Sequence, residues 1–173
     1  MAVSKTLLKA TALKGIPSDS ILCEVNNILA EDSPSNMFVT VFYGVLDTRN
    51  GAFEYSNGGH NLPYLISATG EAEELKNVGG VILGAFGNME YESNVIMIKP
   101  GESLFFFTDG VTEAMNKNEE QFGDERLQKN LSGRVFNSAE ELTSHIMGSV
   151  ESYVNLEPQS DDITCLALKF LKK

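Results

Sequence analysis

Two short runs place carboxylates where a rigid scaffold can hold them. Leu104-Phe105-Phe106-Phe107-Thr108-Asp109-Gly110 drives an apolar strand straight into an acidic residue and a glycine. A carboxylate at a strand end faces a loop rim, and Gly110 lets the backbone turn sharply and a ligand approach closely. Ser160-Asp161-Asp162-Ile163-Thr164 sets paired carboxylates just before a second apolar run. Adjacent aspartates repel unless a cation or a hydrogen-bond donor compensates. Taken singly, Asp109 also suits an Asx-turn, and Asp161-Asp162 a solvated turn. Taken together, the two runs predict a site for a hard cation. All-oxygen carboxylate ligands select Mg²⁺ or Mn²⁺ over zinc or copper. Such ions activate water and stabilise a phosphoryl oxygen, which is the chemistry of metal-dependent phosphoester hydrolysis.

The elements that must position these residues follow from periodicity. Val3, Leu7, Leu8 and Ala10 predict a helix over 1–14, stopped by Gly15 and Pro17. Ser18 or Asp19 can cap a second helix, with Ile21, Leu22, Val25, Ile28 and Leu29 on one face. Asp32-Ser33-Pro34-Ser35 reads as a loop. The period then changes. Met37 to Asp47 and Ala52 to Ser56 predict a strand pair, joined by a type I′ turn at Asn50-Gly51. Asn57 to Asn61 reads as a tight polar loop. Further strands are expected at Pro63–Ser67, Glu71–Leu75, Asn94–Ile98 and Ser103–Thr108. Helices return at Val111–Asn116, at Asp124–Leu131 and after Ser138, where Glu141 stands at capping-box spacing. Ile163 to Phe170 closes as a strand. Helices, a run of antiparallel strands, helices and a strand make an α+β domain. No GxGxxG or GxxxxGK run is present, so a nucleotide-binding α/β sheet is not expected.

The 173 residues are read as one domain over 1–173, with ordinary shares of hydrophobic (42%) and charged (21%) residues. Such a chain buries roughly two-thirds of its unfolded surface, which is enough core to fold without staples. Thirteen basic against 24 acidic residues leave a formal charge of −11. That balance argues against a phosphate-tracking nucleic-acid binder and against docking on an anionic membrane. Cys23 and Cys165 stand far apart with no CxxC or Cys/His cluster, so reduced, buried thiols are expected rather than zinc. His145 falls in a polar stretch and is read as solvated. There is no apolar run long enough to span a bilayer and no secretory lead, and a cytoplasmic location is expected.

Five runs stand in order along nearly the whole chain: Tyr55-Ser56-Asn57-Gly58-Gly59-His60-Asn61-Leu62-Pro63, Gly79-Gly80-Val81-Ile82-Leu83-Gly84, Phe107-Thr108-Asp109-Gly110-Val111-Thr112-Glu113-Ala114, Phe122-Gly123-Asp124-Glu125-Arg126-Leu127 and Ser160-Asp161-Asp162-Ile163-Thr164. With them the sequence resembles the bacterial PP2C-like (PPM) serine/threonine phosphatases of the SpoIIE/RsbU type. The resemblance implies a β-sandwich of antiparallel strands flanked by helices (αββα). It also implies two Mg²⁺ or Mn²⁺ ions and a metal-activated water that attacks phosphoserine or phosphothreonine directly. Asp109 and Asp161 would be catalytic metal ligands, Gly110 would support the Asp109 turn, and Asp162 would be accessory. His60 and Asn61 would steady their loop. The implied partner is a phosphorylated signalling regulator of the anti-sigma factor antagonist type. A local basic patch for phosphate is expected, with Lys5, Lys9 and Arg49 as candidates.

The sequence also departs from that pattern. The early acidic motifs that supply a bridging aspartate are missing ahead of Met1, and Ile82 stands where the glycine loop has proline. The expectation is a domain lacking its first strands, with an exposed sheet edge that invites dimerisation. The alternative is a catalytically inactive PP2C-like fold that acts as a partner-binding regulatory module.

Overall fold

The computed structural model describes residues 2–32, 38–155, 157–159 and 161–171. Its elements, in chain order, are α1 (Ala2–Ala12), α2 (Ser18–Asp32), β1 (Val41–Leu46), β2 (Ala52–Gly58), β3 (Tyr64–Ile66), β4 (Ala72–Glu74), β5 (Ser93–Met97), β6 (Ser103–Phe107), α3 (Asp109–Thr112), α4 (Gly123–Leu131), α5 (Ala139–Val154) and β7 (Cys165–Lys169). The α+β class is as expected, and every strand pair is antiparallel. Parts of the expected loop at 32–35, the expected strand start at Met37, and Ser160 of the second acidic run lie outside the described residues. Among the described residues no helix is long and apolar enough to cross a membrane.

The chain divides into two units. The first comprises Met1–His60 and Lys76–Met97 and holds the sheet β1-β2-β5 with α1 and α2. Ile21, Leu22 and Val25 of the α2 stripe are buried with Leu83 and Tyr91, against the partly buried Leu7, Leu8, Val41 and Tyr43. At the start of α2 the Asp19 Oδ1 accepts from Ser20 N–H at 2.6 Å. The Ser18 N–H donates to Glu54 Oε1 on β2, also at 2.6 Å. That charge-assisted bond satisfies an orphan helix donor and pins the helix start to the sheet. Buried Asn26 accepts from Gly84 N–H and donates to the Phe86 carbonyl, both at 2.9 Å, so one amide fixes the 84–86 loop.

Two local expectations in this unit are corrected. β2 runs past Ser56, because Asn57 and Gly58 still pair with Phe42 and Val41. The Asn57 side chain then closes the following turn by bonding both the N–H and the carbonyl of His60, at 3.0 Å each. The hairpin between β1 and β2 is present but is not type I′. Only Gly51 takes a positive φ (83°), whereas type I′ needs two central residues there. Asp47 explains the difference. Its carboxylate accepts from Arg49 N–H at 2.9 Å and pairs with the Arg49 guanidinium, which builds a longer loop. The side-chain hydrogen bond from Arg49 is the main cause that holds the Asp47 carboxyl down at about 2.

The second unit comprises Asn61–Leu75 and Ile98–Lys173 and holds the sheet β4-β3-β6-β7 with α3, α4 and α5. β6 is central, and Ser103, Leu104, Phe105 and Phe107 are all buried. A strand buried on both faces reads as a continuous apolar run, which is why Leu-Phe-Phe-Phe occurs here. The Phe105 and Phe107 rings stack at 6.1 Å, over Val111, Leu127, Leu142 and Ile146 from the helices. Each such buried ring contributes roughly 1.5–3 kcal/mol. The α5 cap forms as expected at Ser138, whose Oγ accepts from Glu141 N–H at 3.0 Å. Glu141 reaches one residue further back than a capping box requires and takes the Asn137 N–H at 2.8 Å. That bond is the largest cause lowering the Glu141 carboxyl. The Lys169 ammonium donates to the carbonyls of Gly101 (2.9 Å) and Phe136 (2.8 Å), tying β7 to two loops. His145 is not simply solvated. Its ring packs half-buried against Phe136, with centroids 5.5 Å apart, and Nδ1 lies 3.3 Å from Arg134 Nη1.

Candidate metal centre

β6 ends at Phe107, opposite Cys165 at the start of β7, so the two acidic runs leave the sheet side by side. Thr108 joins them. Its N–H donates to the Thr164 carbonyl at 3.1 Å, and its hydroxyl accepts from Thr164 N–H at 3.0 Å. The same hydroxyl donates to the Asp162 carbonyl at 3.0 Å. Hydrogen-bonding capacity on both strand ends is thus used by one side chain.

Asp109 then opens α3, directly after Thr108 in extended backbone. Its Oδ1 accepts from Gly110 N–H at 3.0 Å, and its carbonyl accepts from Glu113 N–H at 2.8 Å. This single turn places Glu113 one helical step above Asp109, on the same face. Asp161 approaches from the other run. Ligand oxygens of Asp109, Glu113 and Asp161 all lie within 4.8 Å of one another, and all three residues are exposed.

Gly110 sets the spacing. A Cβ on it would stand 2.6 Å from the Asp162 carbonyl oxygen and 3.0 Å from its carbonyl carbon. Only a residue without a side chain lets the two backbones come this close. Asp162 is exposed, and its carboxylate is not one of the clustered three. What it gives the site is its carbonyl, which receives the Thr108 hydroxyl.

Of the residues singled out in the sequence, Asp109 and Asp161 therefore meet, and Gly110 lies against the Asp162 backbone. Glu113 and Thr108 were missed. The signal for Glu113 was its position four residues after Asp109, across an expected helix start. For Thr108 no spacing rule applied, because its partners are backbone atoms of a distant run. Lys5, Lys9 and Arg49 belong to the other unit, and Arg49 is engaged by Asp47.

Three carboxylates this close repel in water, and a divalent cation reverses the sign of that interaction. The donor set is all oxygen, without thiolate or imidazole, and it fits Mg²⁺ or Mn²⁺. The Cys165 Sγ lies 3.8 Å from Met147 Sδ, and burial pushes its thiol up to about 11, far from a thiolate at neutral pH. Replacing Thr108 by valine keeps the shape and removes both side-chain bonds. We expect a loss of about 0.5–1.5 kcal/mol per bond in stability, because water takes up the exposed Thr164 N–H and Asp162 carbonyl. Urea denaturation would measure it, and an unchanged midpoint would remove Thr108 from this role.

The comparisons with known proteins bear on the family and the fold. The family model for Stage II sporulation protein E (SpoIIE) matches residues 1–171. Protein IcfG of Synechocystis sp. (strain ATCC 27184 / PCC 6803 / Kazusa) is 33% identical over 141 residues, covering 82% of this chain and 22% of IcfG. Phosphoserine phosphatase RsbU of Bacillus subtilis (strain 168) is 24% identical over 169 residues, covering 98% of this chain and 50% of RsbU. The chain thus spans half or less of the length of these two relatives. Among solved structures, the SiaA-PP2C domain of Pseudomonas aeruginosa superposes with a TM-score of 0.79 at 21% identity, over 98% of this chain and 70% of that one. The phosphatase domain of SpoIIE from Bacillus subtilis, presoaked with Mn, gives 0.69 at 16% identity, over 98% and 74%. With its PP2C-type fold and a family match along almost its whole length, the chain belongs to the SpoIIE family.

Proposed function

We propose that this domain is a metal-dependent protein serine/threonine phosphatase. The observation that carries the reading is the convergence of Asp109, Glu113 and Asp161 at the ends of β6 and the run before β7. These three residues would hold Mg²⁺ or Mn²⁺. When bound, such an ion supplies an acidified water and charge stabilisation for a phosphoryl group. The chain's own residues do the positioning. Thr108 fixes the two runs in register, Gly110 lets them close, and the α3 turn sets Glu113 over Asp109. Membership in the family that includes RsbU, named a phosphoserine phosphatase, supports phosphoserine as the substrate group. We extend this to a phosphorylated regulator of the anti-sigma factor antagonist type as the physiological partner.

The test is release of phosphate from a phosphoseryl peptide with Mn²⁺ or Mg²⁺ added and then removed by chelation. Release that stops with the chelator supports the reading. Release that ignores the chelator, or no release in a longer chain carrying the upstream family motifs, overturns it in favour of a binding module.

A further inference from the structure

Beside the carboxylate cluster, in the same unit, lies a cavity of about 230 Å³. Ala114, Met115, Met147, Val150, Val154 and Ile163 give it apolar walls, and Gly110 forms the side next to Asp109. Two exposed carboxylates, Glu151 and Glu157, also line it. Among the described residues neither has a cationic partner. The lining from Val150 to Val154 is the last turn of α5, which contains no basic residue, so the negative end of the helix dipole is not neutralised there. A cavity with apolar walls and two carboxylates in its lining suits one kind of occupant. Its methylene stem lies on the walls and its cationic head reaches the carboxylates. The two methionines give the walls the adaptability such a stem needs.

We propose that this cavity receives an arginine or lysine side chain of the phosphoprotein substrate, from a position near the phosphoserine. The proposal rests on the phosphatase reading and names the substrate feature it selects. It also answers an electrostatic difficulty. A chain with a net charge of −11 repels an anionic phosphoprotein at long range. A basic residue beside the phosphoserine gives the encounter a local attraction at the site itself.

The experiment uses the full chain and fluorescein-labelled alanine-based peptides. Each carries phosphonomethylalanine in place of phosphoserine, so that binding is read without turnover. One arginine is walked through the flanking positions, and a matched set carries norleucine instead. Anisotropy titration is expected to show one position where arginine binds roughly tenfold tighter than norleucine, the size of a partly buried charge at a helix end. The advantage should shrink with added salt. In Glu151→Gln/Glu157→Gln it should fall to about onefold, and in Met115→Trp, which fills the cavity from an exposed position, it should also fall. Equal binding of the two sets at every position overturns the proposal, as does tighter binding of norleucine or an arginine advantage that survives the double substitution. Hydrolysis of p-nitrophenyl phosphate is followed separately. Its absence from a longer chain carrying the upstream family motifs, with the arginine advantage intact, would sink the phosphatase reading and leave the pocket standing.

Discussion

Asp109→Asn is expected to weaken Mn²⁺ binding by on the order of a hundredfold or more. Loss of a mere hydrogen-bond partner of a metal ligand already costs about ten- to a hundredfold, and here a ligand itself is neutralised. Asparagine keeps the size of the side chain and can still accept from Gly110 N–H, so the α3 turn survives. In the absence of metal the variant should melt at the same temperature as the parent or slightly above it. Removing one of three mutually repelling charges cannot destabilise the fold through the cluster. Titration calorimetry and thermal melting together check this pair of outcomes. Metal-dependent release of phosphate should fall with the affinity. Unchanged Mn²⁺ affinity would show that the ion, if bound, is held elsewhere, and would remove the central residue of the proposed site.

The second large effect belongs to Gly110→Val. Its Cβ would fall 2.6 Å from the Asp162 carbonyl oxygen, and that neighbour is backbone and cannot swing away. The run carrying Asp161 and Asp162 must move, and the Thr108–Asp162 bond at 3.0 Å would be lengthened or lost. Overpacking of this kind costs about 1–3 kcal/mol. In a domain of this size each kcal/mol lowers Tm by about 2–4 °C. The more telling readout is Mn²⁺ affinity, which should fall although no carboxylate has been touched. Gly110→Ala should show the same pattern, weakened. Parent-like melting and parent-like affinity in the valine variant would mean that the two backbones are not held together as described.

The site was legible in the sequence where chemistry and rigid structure coincide in one short run. An apolar strand ending in Asp109-Gly110 is such a run, and so is Asp161-Asp162 ahead of a closing strand. Their chemistry predicted that the two runs share a site, but how they meet comes only from the pairing of β6 with β7. Glu113 went unread because its value comes from a single helical turn too short to show periodicity. Element types followed from the change in period between Leu29 and Val41, whereas local details went wrong where a distant partner decides. Glu54 takes the Ser18 N–H at the start of α2, and the Asp47–Arg49 pair displaced the type I′ turn. His145 was read from polar neighbours along the chain, but Phe136 and Arg134 come from a different segment.

The two strands that deliver the carboxylates are held unequally. β6 is paired on both sides, whereas β7, among the described residues, is paired only with β6 and is latched by Lys169. An ion gripped by Asp109 and Asp161 would therefore close a clasp between the middle of the sheet and its margin. Occupancy would then enter the folding equilibrium itself, contributing about 2.7 kcal/mol at a hundredfold excess over Kd. The amide protons of β7 would exchange with solvent at a pace set by cation concentration, while those of β6 would follow global unfolding. In that arrangement the free divalent ion around the protein governs how often its last strand lifts from the sheet.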